Sequence, residues 1–348
     1  MHSVTQKSYA RIGLIGNPSD GYGGKTLSAI CKNFFAEVTL TNSEQLVVEP
    51  DDYRFDSVAS LQDHINLEGY YGASRLFKAT IGVLASYLAQ HQPSLSLDAC
   101  FTTSYRTNIP RMVGLAGSSA LIVAMLKALM EFYSVSIDKR LLPSIALDVE
   151  RRELGIGGGL QDRVVQIYEG MVSMDFVRMQ ELHGYEYGSY EMLDSALLPP
   201  IYLAYSVDGG EPTEVFHNNL RARYDAGEKQ VVNAMKELAD LTEKMLFAMK
   251  NSDHALVSEC MDRNFDIRHS ISNLNSHHLQ MIETARACGV SAKYAGSGGA
   301  IVGVCSDDDV FDELKLRLGA IGCEVCSCLL YTSPSPRDAT LSRMPSSA

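Results

Sequence analysis

Gly114-Leu-Ala-Gly117-Ser118-Ser119-Ala120 runs without a break into Leu121 to Phe132, which is apolar on every side except at Lys127 and Glu131. A helix with no polar face has to sit inside the protein. The small residues at its start therefore leave backbone, not side chain, facing whatever lies in front of it. The first N–H groups of such a helix have no partner within it and carry the positive end of its dipole. Together these features suit phosphate. A Gly/Ser-rich helix start is often only a cap, but two further glycine segments, Gly21 to Gly24 and Gly296 to Gly299, favour binding.

At ~150 residues per domain, a chain of 348 residues makes about two domains. Lys plus Arg number 30 against 42 Asp plus Glu, a net charge of −12. That balance argues against nucleic-acid binding and against a polybasic membrane anchor. An anionic substrate would need local Arg, Lys, a metal ion or backbone amides against an unfavourable overall field. No apolar run approaches the ~18–20 residues of a membrane span, and Met1 to Lys7 is polar, so the expectation is a cytoplasmic protein. The cysteines are spread as reduced thiols would be. Cys323, Cys326 and Cys328 cluster, but no second ligand pair follows, so they read as apolar strand residues and not as a zinc half-site.

The pattern of apolar residues predicts strands at Ala10 to Ile15, from Phe34 through Leu40, Cys100 to Arg106, Met171 to Phe176, Ile201 to Tyr205, Ile301 to Val304 and Cys323 to Leu330. Helical spacing is expected within Glu68 to Gln90, from Pro143 to Gly155 with Glu150 and Glu153 on one face, over Leu160 to Tyr168, through 212–250 and 254–288, and over Asp307 to Leu318. Strands separated by helices in both halves imply two α+β domains, each a sheet with helices on one face. Pro199 and Pro200 mark the boundary, dividing the chain into 1–196 and 197–330. Thr332 to Ala348 has eight Ser or Pro among 17 residues and resembles translated vector sequence, so 331–348 reads as a non-native or disordered tail.

Other loop motifs fit less well. Ser19-Asp-Gly-Tyr-Gly-Gly24-Lys25-Thr26 nearly matches a P-loop, but Ser19 replaces its first glycine, and a helix would have to follow at once. Neither 21–24 nor 155–159 has dinucleotide-binding spacing. Ala295-Gly-Ser297-Gly-Gly299 looks like a nucleophile elbow without identifiable His and Asp partners.

Three segments in order, Ala10-Arg-Ile-Gly-Leu-Ile-Gly-Asn-Pro-Ser-Asp20, Pro110 to Ala120 and Ala295 to Ala300, resemble the galactokinase, homoserine kinase, mevalonate kinase and phosphomevalonate kinase (GHMP) superfamily. The resemblance implies a two-domain α+β fold, with an N-terminal domain like ribosomal S5 domain 2 and a C-terminal ferredoxin-like sandwich. It implies ATP and Mg2+ as well. From about Tyr9 to Val325, with Thr107-Asn-Ile-Pro-Arg111, Gly159-Leu-Gln-Asp-Arg163 and Asn264-Phe-Asp-Ile-Arg268, the chain is similar to the branch that phosphorylates glucuronate on its anomeric oxygen. Asn17-Pro18-Ser19 departs from the Glu-His-x-Asp form of galactokinases, which disfavours galactose.

By this resemblance Asp162 is the carboxylate that accepts or orients the sugar hydroxyl proton, and Arg11 stabilises it. Gly114, Leu115, Ala116, Gly117, Ser118, Ser119 and Ala120 would hold the phosphates, with Gly296, Ser297 and Gly298 closing over them. Ser119 and Glu150 would hold magnesium, and Asn17, Asp20, Arg268 and Gly299 the sugar. Arg268, Arg111, Arg106 and Lys25 are the cations considered for the sugar carboxylate. A galacturonate or fucose kinase and a catalytically silent sugar or ATP sensor are the alternatives, and monomer or homodimer stays open.

Overall fold

The computed structural model describes residues 2–208 and 220–330, so the tail assigned to 331–348 and the first part, 212–219, of the helical pattern expected through 212–250 lie outside the described residues. The N-terminal half holds a seven-stranded sheet built on one long strand. Ser3–Ile15 (β1) pairs antiparallel along Lys25–Asn42 (β2), and the other edge of β2 is shared between two partners. Its second half pairs Phe101–Thr107 (β5), and its first half pairs Met171–Leu182 (β6), which continues into Tyr185–Leu193 (β7). Leu46–Val48 (β3) and Tyr53–Phe55 (β4) extend the β5 edge. Val58–Glu68 (α1), Arg75–His91 (α2), Gly117–Phe132 (α3), Leu142–Asp148 (α4) and Leu160–Tyr168 (α5) complete this half. As its composition requires, α3 is packed inside, with Ile122, Val123, Ala124, Met125 and Leu126 all buried.

The second half carries Ile201–Ser206 (β8), Lys229–Lys250 (α6), His254–Ile271 (α7), Ser276–Ala287 (α8), Lys293–Tyr294 (β9), Ala300–Val304 (β10), Asp308–Gly319 (α9) and Cys323–Ser327 (β11). Its four strands are ordered β11-β8-β10-β9, all antiparallel, the split arrangement of a ferredoxin-like sheet. A single core joins the halves. Ala10, Ile12 and Leu14 of β1 pack with Leu203 and Val302 of the small sheet and with Leu238, Met245 and Met261 of α6 and α7.

Three expectations are corrected. Lys25 and Thr26 open β2, not a helix, which removes the P-loop reading. The segment after Pro143 does not stay α-helical. It passes at Val149–Glu153 into a wider π turn, which buries Glu150 and leaves Glu153 exposed in place of a shared face. The apolar pattern over 254–288 is two helices, interrupted between Ser272 and Asn275, where Asn275 caps α8 by accepting from His277 and His278 N–H.

Gly16, at the end of β1, has φ +86°, and a Cβ there would come within 2.2 Å of the Lys25 carbonyl and 2.4 Å of the Thr242 hydroxyl on α6. Gly16→Ala combines a left-handed backbone with a backbone clash, so it should cost about 2–4 kcal/mol. Chemical denaturation checks this through a lower midpoint at unchanged slope; a variant as stable as the parent would contradict the packing described.

Candidate active site

Arg11 organises the site. Its β1 position is buried, and the guanidinium reaches three separate parts of the chain. Nε donates to Asp162 Oδ1 at 2.6 Å, and Nη1 donates to the Gly114 carbonyl at 3.1 Å and to the Ala295 carbonyl at 2.6 Å. The acid on α5, the loop before α3 and the loop between β9 and β10 therefore meet on one cation. The backbone follows suit, with Arg11 N–H donating to the Leu115 carbonyl and Gly13 N–H to that of Ala295.

Glycine is required where the two loops touch. A Cβ on Gly296 would lie 2.0 Å from the Gly114 carbonyl, and one on Gly114 would lie 2.8 Å from the Ser297 N–H. Gly114 and Gly299 have φ of +74° and +81°. Ala116, the residue before α3, also takes a left-handed backbone, at φ +61°. That conformation, sparsely populated for alanine, turns the chain into α3.

Glu150 and Arg163 form a buried ion pair behind this loop, and Arg163 Nη1 also donates to the Gly159 carbonyl at 2.8 Å. Burial pushes the Arg163 guanidinium down to about 9, with the Arg11 charge adding to the effect. The hydroxyl brought to Glu150 is that of Ser118, which donates to Oε1 at 2.8 Å. Ser119, paired with Glu150 in the sequence reading, instead donates to the Ala116 carbonyl at 3.1 Å. Ser118 and Glu150 offer two hard oxygens side by side, a donor set that fits magnesium, which needs only one or two protein oxygens when phosphate supplies the rest.

Arg268 and Asn17, both expected at the sugar, also bond within the protein. Arg268 on α7 is buried, with Nη1 and Nη2 donating to the Gly296 and Ser297 carbonyls at 2.6 and 2.7 Å. One helical turn earlier, Asn264 accepts from Gly16 N–H at 2.7 Å and donates to the Asn17 carbonyl at 3.2 Å. The Asn264-Phe-Asp-Ile-Arg268 word thus holds two loops from one helix face. Asn17 Oδ1 accepts from Lys293 Nζ at 2.8 Å, and Lys293 also donates to the carbonyls of Gly13 and Tyr294. Sequence reasoning missed Lys293 and the structural use of Arg163, although each adjoins a residue it selected.

Asp20 does come to the acid. It sits against Gly159, where a Cβ would lie 2.7 Å from Oδ2. Burial, and then the neighbouring Asp162 charge, push its carboxyl up to about 7, with Arg11 opposing. Among the described residues no three His, Cys, Asp or Glu side chains are grouped to hold a metal unaided, and no helix is long and apolar enough to cross a membrane.

This fold and this meeting of loops define a small-molecule kinase of the GHMP class. Residues 75–170 match the family described as GHMP kinases N terminal domain. Over 314 residues the chain is 40% identical to Glucuronokinase 1 of Arabidopsis thaliana, covering 88% of this chain and 86% of that protein. It is likewise 40% identical over 311 residues to Probable glucuronokinase 2 of the same plant, covering 86% and 84%. The fold is shared with Lactococcus lactis galactokinase solved with galactose, at TM-score 0.75 and 15% identity over 94% of each chain. The chain belongs to the GHMP kinase family.

The raised Asp20 carboxyl predicts a pH effect on stability. The unfolded chain ionises this group near 3.8 and the folded protein near 7, so between those values the folded state binds more protons. Stability attributable to Asp20 falls as pH rises through that window and levels off above it. Asp20→Asn, which is neutral throughout, should gain about 1–3 kcal/mol over the parent at pH 8 and little at pH 4. Denaturation midpoints at both pH values test this; an equal gain at both would remove the argument.

Proposed function

We propose that this chain is an ATP-dependent sugar-1-kinase that phosphorylates the anomeric hydroxyl of D-glucuronate, giving glucuronate 1-phosphate and ADP, with Mg2+, in the cytoplasm. The observation that carries the reading is Arg11 joining Asp162 to the Gly114 and Ala295 carbonyls. One acid thereby lies at the meeting point of two glycine loops. The relatives named glucuronokinases supply the sugar. In this reading 1–196 and 197–330 are the two domains, and the reactants lie where they meet.

Phosphoryl transfer asks for alignment and charge neutralisation more than for covalent chemistry. The amides of Gly117, Ser118 and Ser119 at the start of α3, with Gly114 to Ala116 before them and Ala120 after, receive the triphosphate. Gly296, Ser297, Gly298 and Gly299 cover it from the second half. Asp162 takes up the proton of the anomeric hydroxyl as that oxygen bonds to the γ-phosphorus, and the bond to the β-phosphate oxygen breaks to release ADP. Arg11 holds the carboxylate in place and offsets negative charge gathering on the transferred group. Asp20 accepts from a ring hydroxyl when ionised. Ser118 and Glu150 would hold magnesium, which supplies charge neutralisation between the phosphates when bound.

A panel of uronic acids and neutral sugars, read by coupled ADP release, tests the activity, and product analysis should find the new ester at carbon one. Greatest kcat/KM with D-glucuronate is expected. A preference for galacturonate or fucose would reassign the sugar, and binding of sugar and ATP without ADP release would favour a sensor. Asp162→Asn should lower kcat by about 10²–10⁴ with little change in the KM for ATP.

A further inference from the structure

We propose that Arg221 is the residue that recognises the carboxylate of the sugar acid. The proposal rests on the activity proposed above and names the group that would make the site selective for an acid over a neutral sugar.

A carboxylate in a site of an acidic protein calls for a guanidinium, which meets both oxygens with parallel N–H groups. Most of the other cations considered are held by carboxylates or carbonyls. Arg11 and Arg163 hold Asp162 and Glu150, and Arg268 holds two loop carbonyls. Arg106 forks Glu37 through Nε and Nη2, and Lys25 lies between Asp175 and Glu243. Arg111 is exposed and precedes the loop to which the triphosphate is assigned.

Arg221, in the helical stretch 220–225, reaches the loop that carries Asp20. Its Nη1 donates to the Gly21 carbonyl at 3.3 Å, one residue beyond Asp20. Nε donates to Asp225 Oδ2 at 2.8 Å, one helical turn along. The guanidinium lies 5.8 Å from the centre of the Tyr22 ring, which packs at 4.7 Å against Tyr224. The head group is thus oriented from three sides. Nη2 and the second N–H of Nη1 have no partner among the described residues, and with 58% of its side chain exposed the charge is reachable.

Position agrees with chemistry. If the anomeric oxygen lies at Asp162 and the ring along Asp20, Arg221 stands within reach of the far end of the ring, since it bonds the residue next to Asp20. The Tyr22 phenol registers both ends of this path. Burial pushes it up to about 12, while the Arg221 charge opposes that rise and the Asp20 charge adds to it.

The test is a comparison of Arg221→Gln, Arg221→Lys and the parent with D-glucuronate and D-glucose. Arg221→Gln should raise the KM for D-glucuronate about tenfold or more, leave kcat within about threefold, and leave kcat/KM for glucose within about twofold. Arg221→Lys, which keeps the charge but not the fork, should recover part of the loss. If Arg221 only pinned the Gly21 loop, kcat would fall for both sugars alike, and the proposal would be overturned. It is overturned too if the KM for D-glucuronate moves less than twofold in a variant that melts with the parent. Absence of ADP release with D-glucuronate in the parent would instead remove the activity on which it rests.

Discussion

One guanidinium holds this structure's chemistry together. Arg11 leaves the middle of β1, the edge partner of the longest strand, and spends its hydrogen bonds on α5, the loop before α3 and the loop after β9. Each of those elements has its own reason to exist: α3 is a buried helix, α5 begins on a run of glycines, and β9 and β10 form a hairpin. None of these reasons requires them to meet. The meeting is enforced by a buried charge that must find acceptors, because an unpaired guanidinium in the interior costs several kcal/mol. Rigidity of the site therefore follows from the same interaction that fixes the acid, and catalysis by positioning needs that coincidence.

The chain as a whole repels anions, with a formal charge of −12, yet the site gathers cations. Arg11, Arg163, Arg268 and Lys293 are all buried close to the glycine loops. Burial lowers Arg163 to about 9 and Arg268 to about 10, and in both cases the Arg11 charge contributes. Mutual repulsion among these groups is tolerated because each is aimed at carbonyls or carboxylates. The outcome is an interior in which cations are concentrated and paired, inside a negative surface. An anionic reactant gains from that interior only on reaching the loops, so the field favours the seated ligand over the approaching one.

How much of this was legible depends on the range of the interaction. The helix after Ala120 and its small-residue start could be read locally, because an all-round apolar pattern and Gly/Ser composition are properties of adjacent residues. The β2 strand could not be read in its first half. Leu27, Ile30, Cys31 and Phe34 are spaced as on a helix, but Leu27 through Cys31 are buried on both faces of the sheet, and a strand covered on both sides shows no alternation. Glu150, expected at magnesium by resemblance, has surroundings that its sequence neighbours do not reveal. The π turn at Val149–Glu153 buries Glu150, and the hydroxyl that meets it is that of Ser118, while Ser119 bonds the Ala116 carbonyl.

Arg268 shows the deeper limit. From sequence it was a cation in a polar word, and its type suggested an anion as partner. The structure gives it the carbonyls of Gly296 and Ser297, one helix and one strand further along. A loop of three glycines and one serine has few side chains with which to hold its own shape, so its carbonyls need donors from elsewhere. Asn264, one turn away, does the same for Gly16 and Asn17. Glycine-rich loops that approach a ligand closely thus carry a second requirement, a neighbouring helix with long polar side chains on one face. In this chain α7 meets it while its apolar residues Val257, Cys260 and Met261 remain in the shared core. The same helix that welds the two halves together also sets the shape of the loops between them, so the geometry of the site is tied to the stability of the junction.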